Sequence, residues 1–211
     1  MKTDDLITLL TQDTPVHMRL GRRLALALVP AILFSACVML VTIGLRPHLE
    51  AALETVRVPF KIVVTLLLAM TASCVVFRIG KPGVPLRAFG LCLLLPLCLL
   101  ILAVAMEMAM VPEGQWFSHW LGHNAAFCVF FVPVLSLAPL FGFLFALKHG
   151  APENPGLAGA AAGLAAGGIA AAIYAWHCPD DSPFFLATWY GIAITLVTLI
   201  GYGLGRKLLR W

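Results

Sequence analysis

The stretch Trp176-His177-Cys178-Pro179-Asp180-Asp181-Ser182-Pro183 brings an imidazole, a thiol and two carboxylates together within a few residues. Thiolate and imidazole suit soft metal ions. A thiol in an oxidising compartment can also pair with a second thiol when the two Cα atoms come within about 4.4 to 6.8 Å. Part of the run has a purely structural reading, with Ser182 as a helix N-cap and Pro183 at the first helical position. That reading leaves His177, Cys178 and Asp180 unexplained. A second polar stretch holds Glu107, Glu113, His119 and His123, with Trp116, Phe117 and Trp120 between them. His119 and His123 are spaced i, i+4, so on a helix they share a face and could offer two imidazoles to one metal ion. The competing reading is an interfacial amphipathic turn held at lipid headgroups by its tryptophans.

The chain that must position these groups has 211 residues, of which 61% are hydrophobic and 11% charged, with a mean hydropathy of +0.97. A soluble fold of that size needs about a quarter of its residues charged to cover its surface. An independently folded soluble catalytic domain is therefore excluded. Six apolar stretches approach the roughly 20 helical residues that cross about 30 Å of hydrocarbon. They run over Leu24–Leu45, Val58–Phe77, Ala88–Met110, Phe127–Leu147, Gly156–Ala175 and Phe184–Gly205. The runs are continuous, whereas membrane strands would alternate in polarity, so the expected fold is an all-α integral membrane protein, a bundle of six transmembrane helices.

Loop parity then sorts the basic residues. Lys2, Arg19, Arg22, Arg23, Arg78, Lys81, Arg87, Lys148, Arg206, Lys207 and Arg210 fall on one side, and only Arg46, Arg57 and Lys61 on the other. Both termini are expected in the cytoplasm. The net charge of +4 is spread along the membrane edges with no aromatic-interleaved basic strip, which excludes nucleic acid as a partner and leaves membrane lipid. Cys37 lies in Phe34-Ser35-Ala36-Cys37, which loosely resembles a lipoprotein cleavage box. The apolar run continues to Leu45, as a span does and a signal peptide does not.

Parity places Cys37 and Cys98 mid-membrane, Cys74 and Cys92 toward the cytoplasm, and Cys128 and Cys178 at the outer face. That outer pair could form a disulfide, bind a soft metal together with His177 or His123, or be two unrelated cysteines. Six cysteines without a C-x-x-C argue against a dithiol oxidoreductase. No resident cofactor is expected beyond a transient metal ion at the outer face.

Within the spans, Gly159, Gly163 and Gly167 recur at i, i+4, i+8 in a run made almost wholly of Gly and Ala, a smooth stripe for close helix approach. The fifth span is therefore expected to be the buried central helix, with lining of a substrate path as the alternative. Gly201 and Gly205 form a weaker version in the last span. Pro30, Pro96, Pro133 and Pro139 are expected to bend their helices. Glu107 and Lys61 sit near span ends, where long side chains reach the interface. No carboxylate or basic residue falls at mid-depth, which gives a transporter or pump little support.

Residues 1–23 are the one substantial polar segment. Thr3 can cap a helix whose first turn holds Asp4 and Asp5, with Leu6, Leu9 and Leu10 on one face and Ile7 adjoining, ended by Asp13-Thr14-Pro15. So short a helix is marginal alone, and its acidic start disfavours an anionic membrane surface, so a protein partner is expected to cover the leucines. Residues 1–23 thus form a cytoplasmic N-terminal segment and residues 24–211 a six-helix transmembrane domain.

Thr3-Asp4-Asp5-Leu6-Ile7-x-x-Leu10, the six spans, and above all His177-Cys178-Pro179-Asp180-Asp181-Ser182-Pro183-Phe184-Phe185 followed by Thr188-Trp189-Tyr190 resemble the NrsF family of membrane anti-sigma factors. The resemblance extends over essentially the whole chain. It implies that the cytoplasmic segment, through Asp4, Asp5, Leu6, Ile7, Leu9, Leu10 and Asp13, sequesters an extracytoplasmic-function sigma factor of sigma-F type at the bacterial inner membrane. It further implies release on metal or oxidative stress, with Cys128 and Cys178 in the sensing role. His177, His123, His119 and Asp180 are further candidates for sensing or metal binding. The expected function is thus a non-enzymatic regulator; a small membrane transporter or metal exporter is the alternative, and a membrane redox enzyme a third reading. No nucleotide loop, nucleophile triad or paired mid-membrane carboxylates support an enzyme.

Overall fold

A computed structural model describes residues 20–81, 87–150 and 152–210, apart from the side chains of residues 87–89. The N-terminal residues Asp4, Asp5, Leu6, Ile7, Leu9, Leu10 and Asp13 lie outside these described residues. Among the described residues every regular element is a helix. In chain order they are α1 (Leu20–Thr42), α2 (Leu49–Leu53), α3 (Arg57–Ile79), α4 (Arg87–Cys92), α5 (Leu94–Met110), α6 (Glu113–Leu121), α7 (Ala125–Leu147), α8 (Pro155–Tyr174) and α9 (Pro183–Leu208). Six of the helical stretches are long and apolar enough to cross a membrane, in the same order as the six runs read from the sequence.

The central position goes to α8, which packs against α3, α7 and α9. Asn154 starts it, its side chain accepting from the Leu157 N–H at 3.0 Å, with Pro155 in the first turn. A Cβ on Gly163 would stand 2.5 Å from the Val197 carbonyl oxygen, and one on Gly159 closer still to that of Gly201. In return, Gly201 and Gly205 meet the backbone of Gly163 and Gly159. The glycine stripes of the fifth and sixth spans are therefore each other's partners, and the absence of side chains brings the backbones into contact. A Cβ on Gly167 would have more room, 3.3 Å from the Ile194 side chain, while one on Gly168 would stand 3.0 Å from the Ala69 backbone of α3.

Helix boundaries depart from the sequence reading where proline and loop contacts intervene. Pro96 does not bend the middle of its span. It stands in the first turn of α5, where its missing N–H matters little, and the break after Cys92 falls where its ring would meet the carbonyl four residues back. Pro30, Pro133 and Pro139 do lie inside helices. Pro139 cannot donate to the Leu135 carbonyl, and the buried Ser35 hydroxyl of α1 donates to it instead at 2.8 Å. A proline defect thus becomes an interhelical bond. At the N-terminal side, α1 already includes Leu20, Arg22 and Arg23, so the helix begins inside the segment assigned to the polar head.

Candidate functional site

At one end of the bundle three connections converge: residues 43–56, 111–124 and 175–182. Their polar groups organise around three buried or half-buried carboxylates. Asp181 accepts from Arg46 Nη1 at 2.8 Å and from Lys61 Nζ at 2.5 Å. Lys61, only 1% exposed, also donates to the carbonyl oxygens of Cys178 (2.7 Å) and Asp180 (3.2 Å). All three ammonium protons therefore have acceptors. Asp180 accepts from the backbone N–H groups of His123 (3.1 Å) and Asn124 (2.8 Å), placing its charge against the N-terminus of α7. Glu107 is buried near the end of α5 and accepts from His119 Nδ1 (2.9 Å), Ser182 Oγ (2.8 Å) and the Phe184 N–H (3.2 Å). The more exposed Arg57 guanidinium stands 3.5 Å away.

Several local sequence features make this closure work. Ser182 caps α9, accepting from the Phe184 N–H at 3.1 Å while donating to Glu107, with Pro183 following in the first turn. Gly122 ends α6 at φ +57°, and a Cβ there would stand 2.5 Å from the Phe185 ring and 2.8 Å from the Asp180 carboxyl carbon. Only glycine meets both the backbone and the space requirement. A π-helical turn over Leu186–Tyr190 interrupts α9. From within it Trp189 Nε1 donates to the Trp120 carbonyl (2.8 Å), and Thr188 Oγ1 accepts from Trp120 Nε1 (3.1 Å). Trp116 likewise donates to the Val111 carbonyl at 2.9 Å. The tryptophans of α6 are thus bonded within the protein, where the sequence reading had assigned them to headgroups.

The thiols lie beneath this lattice. Cys128, in the first turn of α7, and Cys178 are both 0% exposed and belong to one apolar cluster with Tyr174, Phe185 and Tyr190. Both are free thiols. The two share one buried cluster where the 175–182 loop packs over the start of α7, and neither is displayed on the surface. Burial pushes the Cys178 thiol above the ordinary cysteine range; the Lys61 ammonium and a backbone contact to Asp180 oppose this in part. The hydroxyls of Tyr174 and Tyr190 are buried without a hydrogen bond of ordinary geometry. Cys37, Cys74, Cys92 and Cys98 are exposed on helix faces.

The histidines separate. Because α6 ends at Leu121, His119 and His123 do not share a helix face: His119 turns to Glu107, while His123, with a side chain 93% exposed, stands 3.5 Å from Asp180. His177 Nδ1 donates to the Gly44 carbonyl at 3.0 Å, and its ring lies against Tyr174. Among the described residues, no three side chains of His, Cys, Asp and Glu come together as a metal-binding group.

Lys61 and Glu107 were read from sequence as reaching the interface, but both are buried and make the principal polar ties of this end. Their signal was present in the charge sorting. The few basic residues assigned to that side, Arg46, Arg57 and Lys61, face its acids Glu107 and Asp181.

Comparison with known proteins extends these observations. Residues 9–211 match the family described as "Negative regulator of sigma F", NrsF. The chain is 33% identical over 221 residues to the "Anti-sigma-F factor NrsF" of Caulobacter vibrioides (strain NA1000 / CB15N), covering 100% of both chains. It is 29% identical over 213 residues to the "Probable anti-sigma-F factor NrsF" of Azospira oryzae (strain ATCC BAA-33 / DSM 13638 / PS), again covering 100% of both. No solved structure matches the chain. With the family pattern spanning nearly all of its length, the chain belongs to the NrsF family of negative regulators of sigma F.

Proposed function

We propose that this protein is an anti-sigma factor embedded in the bacterial inner membrane with both termini in the cytoplasm. Through residues 1–23 it sequesters an extracytoplasmic-function sigma factor of sigma-F type, and it releases that factor when a metal ion or an oxidant acts on Cys128 and Cys178. The observation that carries this reading is the end-to-end similarity to a relative named anti-sigma-F factor. The family is regulatory, and the polar groups of the 175–182 loop are tied by structural bonds. Large apolar side chains exposed along α1, α5 and α7 suit a hydrocarbon surrounding, and the lopsided distribution of Lys and Arg supports cytoplasmic termini.

The thiols suit a sensor in which the loop gates access. Buried, the pair reacts slowly until the 175–182 loop opens. A two-electron oxidant that takes two electrons and two protons from the pair leaves a disulfide, and a thiophilic cation displaces the protons to bind two thiolates. Either product changes the charge or covalent geometry of an apolar cluster and favours a different packing of α7 against the loop. In the cytoplasm, Asp4, Asp5 and Asp13 orient the partner and the leucine face supplies the burial.

Affinity capture of cytosolic proteins by the full-length chain and by a Leu6→Ala/Leu10→Ala variant tests the partner. Loss of one sigma-sized protein in the variant is the expected result. Retention of every captured protein would favour the transporter reading instead.

A further inference from the structure

The lattice over the thiols includes a buried cation that binds the thiol loop directly. Lys61 is a buried cation on α3, the helix that runs from this end of the bundle to the other over about 34 Å, 23 residues at 1.5 Å each. Two of its three acceptors are main-chain carbonyls, those of Cys178 itself and of Asp180, and the third is the Asp181 carboxylate. The other polar ties to the loop start from different helices or connections, while Val58 and Ile62 of α3 pack on Ala175. Arg46 and Gly44 hold Trp176, His177 and Asp181 from the segment after α1, Glu107 holds Ser182 from α5, and Asp180 reaches the start of α7.

On its other flank α3 is loosely held. An open apolar groove runs between it and α1, lined by Leu28, Ile32 and Met39 of α1, Leu66 and Met70 of α3, and Ile169 of α8. A helix bordered by such a gap can change its position without forcing close-packed side chains through one another.

We propose that Lys61 is the positioning residue that couples the thiol loop to α3, holding the loop and the helix in the arrangement that retains the sigma factor. The assignment rests on the sensing function proposed above. A change at Cys178 that lifts its carbonyl and that of Asp180 away from the ammonium leaves a dehydrated cation with one acceptor, and α3 shifts to restore its partners. The displacement reaches the opposite end of α3 because a helix is stiff along its axis.

The test uses full-length protein, the sigma-F-type factor of the same organism, and a reporter promoter dependent on that factor. The membrane level of each variant is measured by immunoblot, and output is read with and without the thiol oxidant diamide. Lys61→Met at normal membrane level is expected to raise uninduced output roughly tenfold and to remove most of the diamide response, and Lys61→Arg to restore both. A merely structural lysine would change protein level, while output per molecule and its response to diamide stayed as in wild type. Wild-type uninduced output and induction in Lys61→Met would overturn the proposal. Should Lys61→Met fail to accumulate, Asp181→Asn beside Arg46→Met decides: Asp181→Asn neutralises an acceptor that Lys61 shares with Arg46 and leaves the two carbonyls, so a rise in uninduced output beyond that of Arg46→Met supports the coupling, and output and induction unchanged or equal to those of Arg46→Met overturn it. The underlying reading fails in its own way. Full induction in Cys178→Ser removes the thiol trigger, and a reporter that wild type does not repress removes the sigma factor; either would take the coupling with it.

Discussion

An ammonium group taken out of water has to recover its hydration from fixed acceptors, and Lys61 does so with two carbonyls and one carboxylate. The same accounting explains Glu107, whose oxygens accept from an imidazole, a hydroxyl and a backbone N–H. For Cys178, burial dominates and the thiol is held in its protonated form. In the unfolded chain it ionises near pH 8.5 or so, and in the folded chain only above that. Between the two values the unfolded state loses its proton first. Stability is therefore undiminished below about pH 8.5 and falls as pH rises beyond it. Alkylation of Cys178 by iodoacetamide should accordingly be at least about tenfold slower in folded protein than in denatured protein at pH 8. Its rate should keep climbing past about pH 9.5, where the denatured thiol levels off. Equal rates in the two states would contradict the buried, protonated thiol.

At the scale of elements, α8 and α9 depend on the absence of side chains. Gly163→Leu must push its Cβ into the Val197 carbonyl and force the helices apart, so a loss of at least about 1 to 3 kcal/mol is expected, seen as a lower melting temperature in detergent. Gly203 has no atom within 4 Å of where its Cβ would be, and Gly203→Ala should leave melting unchanged or slightly raised. A similar fall in both variants would mean that helix propensity, and not interhelical contact, sets the result. The π turn at Leu186–Tyr190 shows the limits of periodicity. Its extra residue per turn places Thr188 and Trp189 against Trp120, and a regular α-helical wheel would have put them elsewhere.

At the scale of the whole molecule, function as proposed requires the two ends of the bundle to face different compartments. Alkaline phosphatase fused after residue 124 should be active and a fusion after residue 211 inactive, since the enzyme works only when exported. The reverse pattern would place the thiols in the cytoplasm and remove the basis for outer sensing. Deleting residues 1–19 should abolish capture of the sigma factor while leaving the melting temperature of the remaining bundle close to that of the full chain.

The sequence by itself determined six helical runs, the central place of the Gly/Ala helix, and the Ser182–Pro183 start of α9. Each depends on local chemistry: apolar length, residue size, or a side chain reaching a nearby N–H. It also determined the family, through a motif carried in consecutive residues. What it left undecided were the pairings made across the fold. Lys61 and Asp181, Glu107 and Ser182, and Ser35 and the Leu135 carbonyl are far apart in the chain, and no periodicity relates them. For that reason, two residues that composition placed at an interface proved to be buried ties. Helix-wheel spacing joined His119 to His123, but the chain reverses at Gly122 and turns them to different carboxylates. Only the tertiary structure could put the two thiols in one buried cluster, because burial depends on which helices close over a residue, and that is decided by all the contacts at once.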